Sequence, residues 1–548
     1  MRGVLVIIHR WAGLFIAVFL FIAGLTGAVI SWDHELDEWL NPDLLEAKQP
    51  GTPLPPLELV ARFEASDPRA RVTYFTLSPE AGKTVELFVE PRVDPTTGRL
   101  YDLDYNQVYM EPATGEITGK RYWGKISLDR RDILPFLYKL HYSMHIPDFY
   151  GYDRWGIWLM GIVGIVWMFD CFVGLCLTFP PVPKTSSTRA FARVPGNEKT
   201  WLARWSPAWR IKRDASAYRL NFDIHRAVGL WAWLFLLVLA FTSISMNLGD
   251  DVVRPLLSKV SSLTADADAE RTPAPIDKPV PAALSFASIL DRASAEAAKR
   301  SWQEPLGSAF YNQQTGIYSV SFFKAGKEHG EYGMEPKTLH LDGNSGEVLG
   351  DSAPWAGTAA DIFMQLQFPL HSGRIAGLPG RILLSVMGLI VAALSFTGIV
   401  IWFKKRAARA KRARYSGSEG ATPSRGQPVL TNPALAALLE SARKITDEDR
   451  LRSRLMWLGK TATSLSAQAG RLRLGSIASL SLAIAGLTAR AALISGIRVL
   501  RRVFELPNVM ARALGSISAT LLSRGFWEAG RTDAVFYARQ VRQWLNGA

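Results

Sequence analysis

Two cysteines, Cys171 and Cys176, are all that 548 residues contain. Both lie in one apolar run, and five residues apart on a helix they do not share a face. A disulfide framework, a CxxC thiol relay and an iron–sulfur cluster are therefore excluded, and the pair reads as packing residues. No GxGxxG or Walker motif occurs, so the chain has no recognisable nucleotide site with which to draw its own electrons. Nor is there a Gly-elbow or HExxH context that would support hydrolysis. Excess positive charge is missing from most of the chain too. Of the formal net charge of +14, residues 406–548 carry 23 Lys+Arg against 8 Asp+Glu, whereas residues 1–405 carry 40 against 41. The basic tail lacks interleaved aromatics, which argues against nucleic acid as a partner.

What is plentiful is apolar sequence: 48% hydrophobic residues and 18 tryptophans. Four runs are long enough to cross a bilayer, near 11–31, 155–179, 227–247 and 382–403. The first is too long for a signal-peptide core and no A-x-A site follows it, so it is expected to remain as a span. Orientation follows from the basic loops. Residues 180–226 hold ten Lys+Arg against three acids, and Lys404–Arg414 has seven basic residues in eleven. Both are expected on the cytoplasmic side of a bacterial inner membrane, together with both termini, leaving two long loops outside.

The chain repeats itself. VLVIIHRWAGLFIAVFLFIAGLTGAVISW (4–32) has a counterpart in DIHRAVGLWAWLFLLVLAFTSISMN (223–247), with His9-Arg10 matched by His225-Arg226. Each long loop alternates like β-structure, in VTYFTLSP (72–79) and TVELFVEP (84–91), and again in GIYSVSFFKAG (316–326). Each then makes a Gly turn, Thr114-Gly115-Glu116 and Ser345-Gly346-Glu347, and climbs to a histidine, His141 or His371. The offsets are 216 at His9/His225, 231 at the Gly turn and 230 at His141/His371, with an acidic, Pro-rich insert near 264–282 absorbing the difference.

The expected fold is thus an α-helical membrane bundle of four spans in two parallel tandem repeats, with two α+β external domains and a basic helical tail. The segments are 1–32 (first span), 33–154 (first external domain), 155–179, 180–226 (basic loop), 227–247, 248–381 (second external domain), 382–403 and 404–548 (tail). A two-fold axis along the membrane normal would bring His9 to His225 on the inner side and His141 to His371 on the outer side. Two neutral imidazoles from different helices, with small residues nearby, are what a b-type haem needs. Gly13, Ala17, Gly24 and Ala28 supply small residues on the first span. The competing expectation is that His9 and His225 are interfacial anchors beside arginine.

His145, four residues past His141, is an alternative ligand or half of a metal pair. Asp170, a carboxylate within the second span, is read as an acceptor for an imidazole N–H, a proton site, or simply a hydrogen-bonded neutral acid. His34, His329 and His340 have no repeat partners and read as surface or external-domain residues. Thr26, Thr242 and Thr397 are expected to bond back to their own helices and are given no role. The tail is expected to form amphipathic helices held to anionic lipid.

The ordered motifs HRW-x-GL, GLTGA, W-x-x-ELD-x-WLNP and P-x-TGE, with the doubled span, resemble the PepSY-associated transmembrane family over about residues 1–405. The resemblance implies PepSY-like external domains and a place among iron-regulated inner-membrane proteins and ferric-siderophore reductases. It implies about two haems b, an external ferric siderophore as acceptor and a cytoplasmic electron donor that the sequence does not identify. The second copy departs from the pattern, with His225-Arg226-Ala227 for HRW and no ELD-x-WLNP. The alternatives are a non-enzymatic binding or regulatory module for a protease or metallophore, and a transporter of the chelate with Asp170 as its mid-membrane charge.

Overall fold

The chain begins with a helix of 29 residues, α1 (Arg2–Ile30), whose apolar length suffices to cross a bilayer. In this computed structural model, residues 2–148, 154–181 and 200–416 are described. They belong almost entirely to one compact unit, Met1–Pro147 with Arg154–Ala410. After α1 come α2 (Asp33–Leu40), α3 (Pro42–Leu45) and α4 (Pro56–Ser66), then strands β1 (Ala70–Thr76), β2 (Val85–Pro91), β3 (Gln107–Met110) and β4 (Ile117–Arg121). Helices α5 (Ile133–Ser143), α6 (Trp155–Thr178), α7 (Trp201–Trp205), α8 (Ala217–Trp231), α9 (Trp233–Leu248) and α10 (Arg254–Leu257) follow. The second half adds α11 (Phe286–Lys299), β5 (Leu306–Asn312), β6 (Ile317–Phe322), β7 (Lys337–Asp342) and β8 (Val348–Ser352). It ends with α12 (Ala359–Gln365), α13 (Gln367–Ser372) and α14 (Gly377–Ser416).

Four helical stretches are long and apolar enough to span a membrane: Arg2–Ile30, Trp155–Thr178, Trp233–Leu257 and Arg374–Arg409. This is a membrane protein. The spans pack on one another through Ile16 and Leu20 of α1, Val163 of α6, Leu236 and Leu239 of α9, and Met387 and Val391 of α14. The small residues of α1 serve that packing. A Cβ on Gly24 would lie 2.5 Å from Gly388 O, and one on Gly388 would lie 3.3 Å from the Ala28 methyl. At Gly24 and Ala28 the stripe of small residues lets two backbones touch. The third span also differs from expectation, because the run 227–247 is broken at Ala232 and His225 sits on the separate helix α8.

The two loop regions were expected to be separate domains. They form one. Each contributes a four-stranded antiparallel meander, and β1 pairs antiparallel with β5 through Tyr74↔Phe310, Phe75↔Ala309 and Thr76↔Ser308. The result is a continuous eight-stranded sheet, ordered β4-β3-β2-β1-β5-β6-β7-β8. Pairing β1 with β5 leaves neither meander with an open edge at that end. Alternation puts Val85, Leu87 and Val89 of β2 on one face. There α4 and α11 cover the sheet in a single core, with Leu59, Phe63, Phe75, Leu87, Ile289, Ala309, Val320 and Leu339 all at 0% exposure. The two Gly turns are held alike. Arg62 of α4 donates to Thr114 O (2.6 Å) and Arg292 of α11 to Ser345 O (3.1 Å), while Gly115 and Gly346 take φ of +74° and +71°.

The opposite face carries polar groups and meets α2. Arg121 of β4 is buried and donates to Asp37 Oδ2 (2.8 Å), Gln107 Oε1 (2.7 Å) and Arg131 O (3.1 Å). Through Asp37 the sheet is thereby tied to the helix that leaves the first span. The basic stretch from Lys404 continues α14, and the tail from 417 lies outside the described residues.

Candidate metal-ligating histidine pairs

Each pair draws one histidine from each half of the chain. The His9 and His225 rings lie 6.2 Å apart, centroid to centroid, inclined at 56°. The His141 and His371 rings lie 6.1 Å apart, inclined at 65°. His9 sits near the start of α1, while His141 packs where α1 ends, against Ala23, Thr26 and Gly27. At 1.5 Å per residue the two pairs are about 25 Å apart along α1.

The hydrogen bonds of all four rings run through Nδ1. His9 Nδ1–H donates to Asp170 Oδ1 (2.9 Å), and Asp170 is 8% exposed. His141 donates to Ala23 O (3.0 Å) and Thr26 Oγ1 (3.1 Å). His225 donates to Leu394 O (3.1 Å) and Thr397 Oγ1 (3.0 Å). His371 has Thr242 Oγ1 at 2.9 Å, and that hydroxyl gives its own proton to Val238 O (2.9 Å), so it can only accept from the ring. Carboxylates and carbonyls accept and cannot donate, so each Nδ1 bears the proton, which in a neutral ring leaves Nε2 its lone pair. A metal-binding imidazole is held in just this way, by a partner on its far nitrogen. Burial pushes the pKa of His141 down to about 4, of His371 to about 3 and of His225 to about 4, so these rings are neutral at physiological pH.

The separation has chemical meaning. Two imidazoles binding one ion through Nε2 at about 2.0–2.1 Å, each centroid about 1.1 Å behind its nitrogen, stand about 6.3 Å apart. Both observed separations agree with that. Glycines press on three of the rings: a Cβ on Gly27 would come 2.9 Å from His141 Cε1, and one on Gly174 or Gly398 would come 3.5 or 3.3 Å from His9 or His225 Cε1. Two buried polar atoms without a hydrogen-bond partner among the described residues flank the second pair. They are Gln367 Oε1, one turn before His371, and Ser245 Oγ, one turn after Thr242.

A sequence model of the PepSY-associated TM region family matches residues 6–405. The chain belongs to that family. The matched region of this PepSY-associated chain contains every residue of both histidine pairs and their Nδ1 partners. No curated protein matches the sequence.

The remaining histidines are placed as follows. His145 stacks on Phe136 at 4.9 Å and its Nε2–H donates to Phe136 O (3.0 Å), so it differs from the four paired rings in being held through Nε2. His340 pairs with Ser319 Oγ (2.9 Å) on the sheet. His34 and His329 are exposed and lie outside the spans, and their Nε2 atoms lie 2.5 Å apart. Among the described residues no group of three or more His, Cys, Asp or Glu is spaced to hold a metal ion. The three threonines, given no role above, do bond back to their helices and also accept from the histidines. One sequence signal could have found two of them: Thr26 and Thr242 share the 216-residue offset of His9 and His225.

Proposed function

We propose that this chain is a b-type haem protein of the bacterial inner membrane. In this reading it passes electrons from a cytoplasmic donor to an external ferric chelate, a siderophore complex, and so frees iron as Fe(II). The observation that carries the reading is the set of four Nδ1-anchored imidazoles paired at 6.1–6.2 Å, with both pairs spaced for one iron. His9 and His225 would hold one haem, His141 and His371 the other. Bound haem supplies reversible one-electron exchange, one electron for each Fe(III) reduced. The protein's part is to hold each Nε2 lone pair toward the iron, by Asp170 at His9, Thr397 at His225, Thr26 at His141 and Thr242 at His371. The two halves are tandem repeats about an axis along the membrane normal, which accounts for the matching offsets and for each pair drawing on both. Seven basic residues in Lys404–Arg414 support a cytoplasmic end for α14, with anionic lipid beside it, and hence an external sheet domain.

The test is a dithionite-reduced minus oxidised spectrum of the detergent-purified protein, with haem counted per chain. Two b-type haems are expected. His9→Ala should cost one of them and leave the His141/His371 haem reducible. Full haem retention in that variant would overturn the assignment of the first pair. A colourless protein after expression with ample haem would overturn electron transfer and favour a membrane-anchored PepSY binding module.

A further inference from the structure

Two histidines unused by the proposed electron path face each other from opposite halves of the chain. His34 opens α2, four residues past the end of α1, and His329 lies in the loop after β6. Their ring centroids are 4.6 Å apart, and both side chains are exposed. Their Nε2 atoms face each other at 2.5 Å.

Their surroundings fix the place. Asp33 pairs loosely with Arg374 (3.6 Å), its Oδ1 having no hydrogen-bond partner among the described residues, and Glu35 pairs with Arg381 (2.6 Å). The His329 loop rests on Arg374, since a Cβ on Gly333 would lie 2.7 Å from Arg374 Cβ. Arg374 is three residues past His371. The imidazole pair therefore lies next to the His141/His371 pair, where the bundle meets the sheet domain.

We propose that His34 and His329 form an open two-imidazole site for a borderline first-row divalent cation. On the reading above, which this inference extends, that cation is the Fe(II) left by reduction of the chelate. Imidazole suits Fe(II), while oxygen-rich donors suit harder ions, so reduction shifts the preference from chelate to protein nitrogen. Two cis nitrogens at about 2.1 Å from an ion stand about 3 Å apart, so the exposed rings need part by only about half an ångström. Structural ions have four protein ligands, whereas two leave the other positions to water and allow the ion to leave. Of the carboxylates beside His34, Glu35 is held by Arg381 and Asp33 is paired loosely with Arg374.

The experiment is equilibrium dialysis of the full, haem-loaded chain, without a polyhistidine tag, against Zn2+ as a redox-silent probe and against Fe2+ under argon. One ion per chain is expected. His34→Gln and His329→Gln should each weaken binding at least tenfold, the double variant should do little more, and haem content and the reduced spectrum should stay unchanged. Absence of binding by the wild type, or equal binding by the variants, would overturn the site. Because haem is read on the same samples, a zinc-free protein with two haems removes this site alone. A colourless protein whose zinc depends on His34 and His329 keeps the site and removes the electron path.

Discussion

Asp170 does for His9 what a threonine hydroxyl does for each of the other three rings, and it is the only charged group so used. A carboxylate on Nδ1–H makes the imidazole a stronger donor through Nε2 and so favours the oxidised metal. Asp170→Asn keeps an oxygen acceptor and removes the charge. If His9 and His225 hold a haem as proposed, its midpoint potential should rise in that variant and its affinity should fall by about 10- to 100-fold, as mutation of outer-shell partners does. Redox titration beside a haem count checks both, and an unmoved potential would show Asp170 to be structural only. A second residue-scale prediction concerns Glu86, outside the spans, which accepts from Gln107 Nε2 (2.6 Å) and Tyr109 OH (2.9 Å). Burial pushes its pKa above the ordinary 4.5. A carboxyl whose folded value is raised favours the protonated state, so its contribution is full at low pH and is lost as pH rises through the folded value. Glu86→Gln should therefore raise Tm at pH 8, with the gain shrinking toward pH 5. A pH-independent difference would contradict the argument. The four paired histidines were legible from their offsets. The partners that orient them were not, because a threonine bonding back to its own helix looks the same in sequence whether or not its oxygen also accepts from a ring. His34 and His329 read only as surface or external-domain residues, because without counterparts in the other half nothing in the sequence joins them.

At the scale of elements, the spans could be read from apolar length alone, and seven of the eight strands from alternation and turns. The strand left unread was β5, LGSAFYN, too poor in alternating apolar residues to stand out. It is the one that joins the two meanders, and backbone pairing of this kind leaves almost no side-chain signature. Ala309, at 0% exposure and opposite Phe75, is central to the joint. Ala309→Pro removes a ladder donor inside the sheet, at a cost of about 3 kcal/mol or more on the helix-derived scale, and should open both meanders together. Limited proteolysis would show it as simultaneous loss of protection in residues 70–121 and 306–352. Loss confined to the second segment would mean that the meanders are stable apart.

For the whole molecule, the basic stretches and the sheet domain should lie on opposite sides of the membrane. Alkaline phosphatase fused after residue 262 is expected to be active and after residue 416 inactive, and the reverse pattern would invert the orientation and the direction of electron flow with it. The pairing of histidines across the halves has a further consequence. Neither half owns a complete site, since His9 needs His225, His141 needs His371, and β1 needs β5. A free single half could complete these contacts only by meeting a second copy about a two-fold axis, and their formation would then depend on its own concentration. Carrying both halves on one polypeptide makes that meeting intramolecular, so assembly of the two histidine pairs does not depend on how much protein the cell makes.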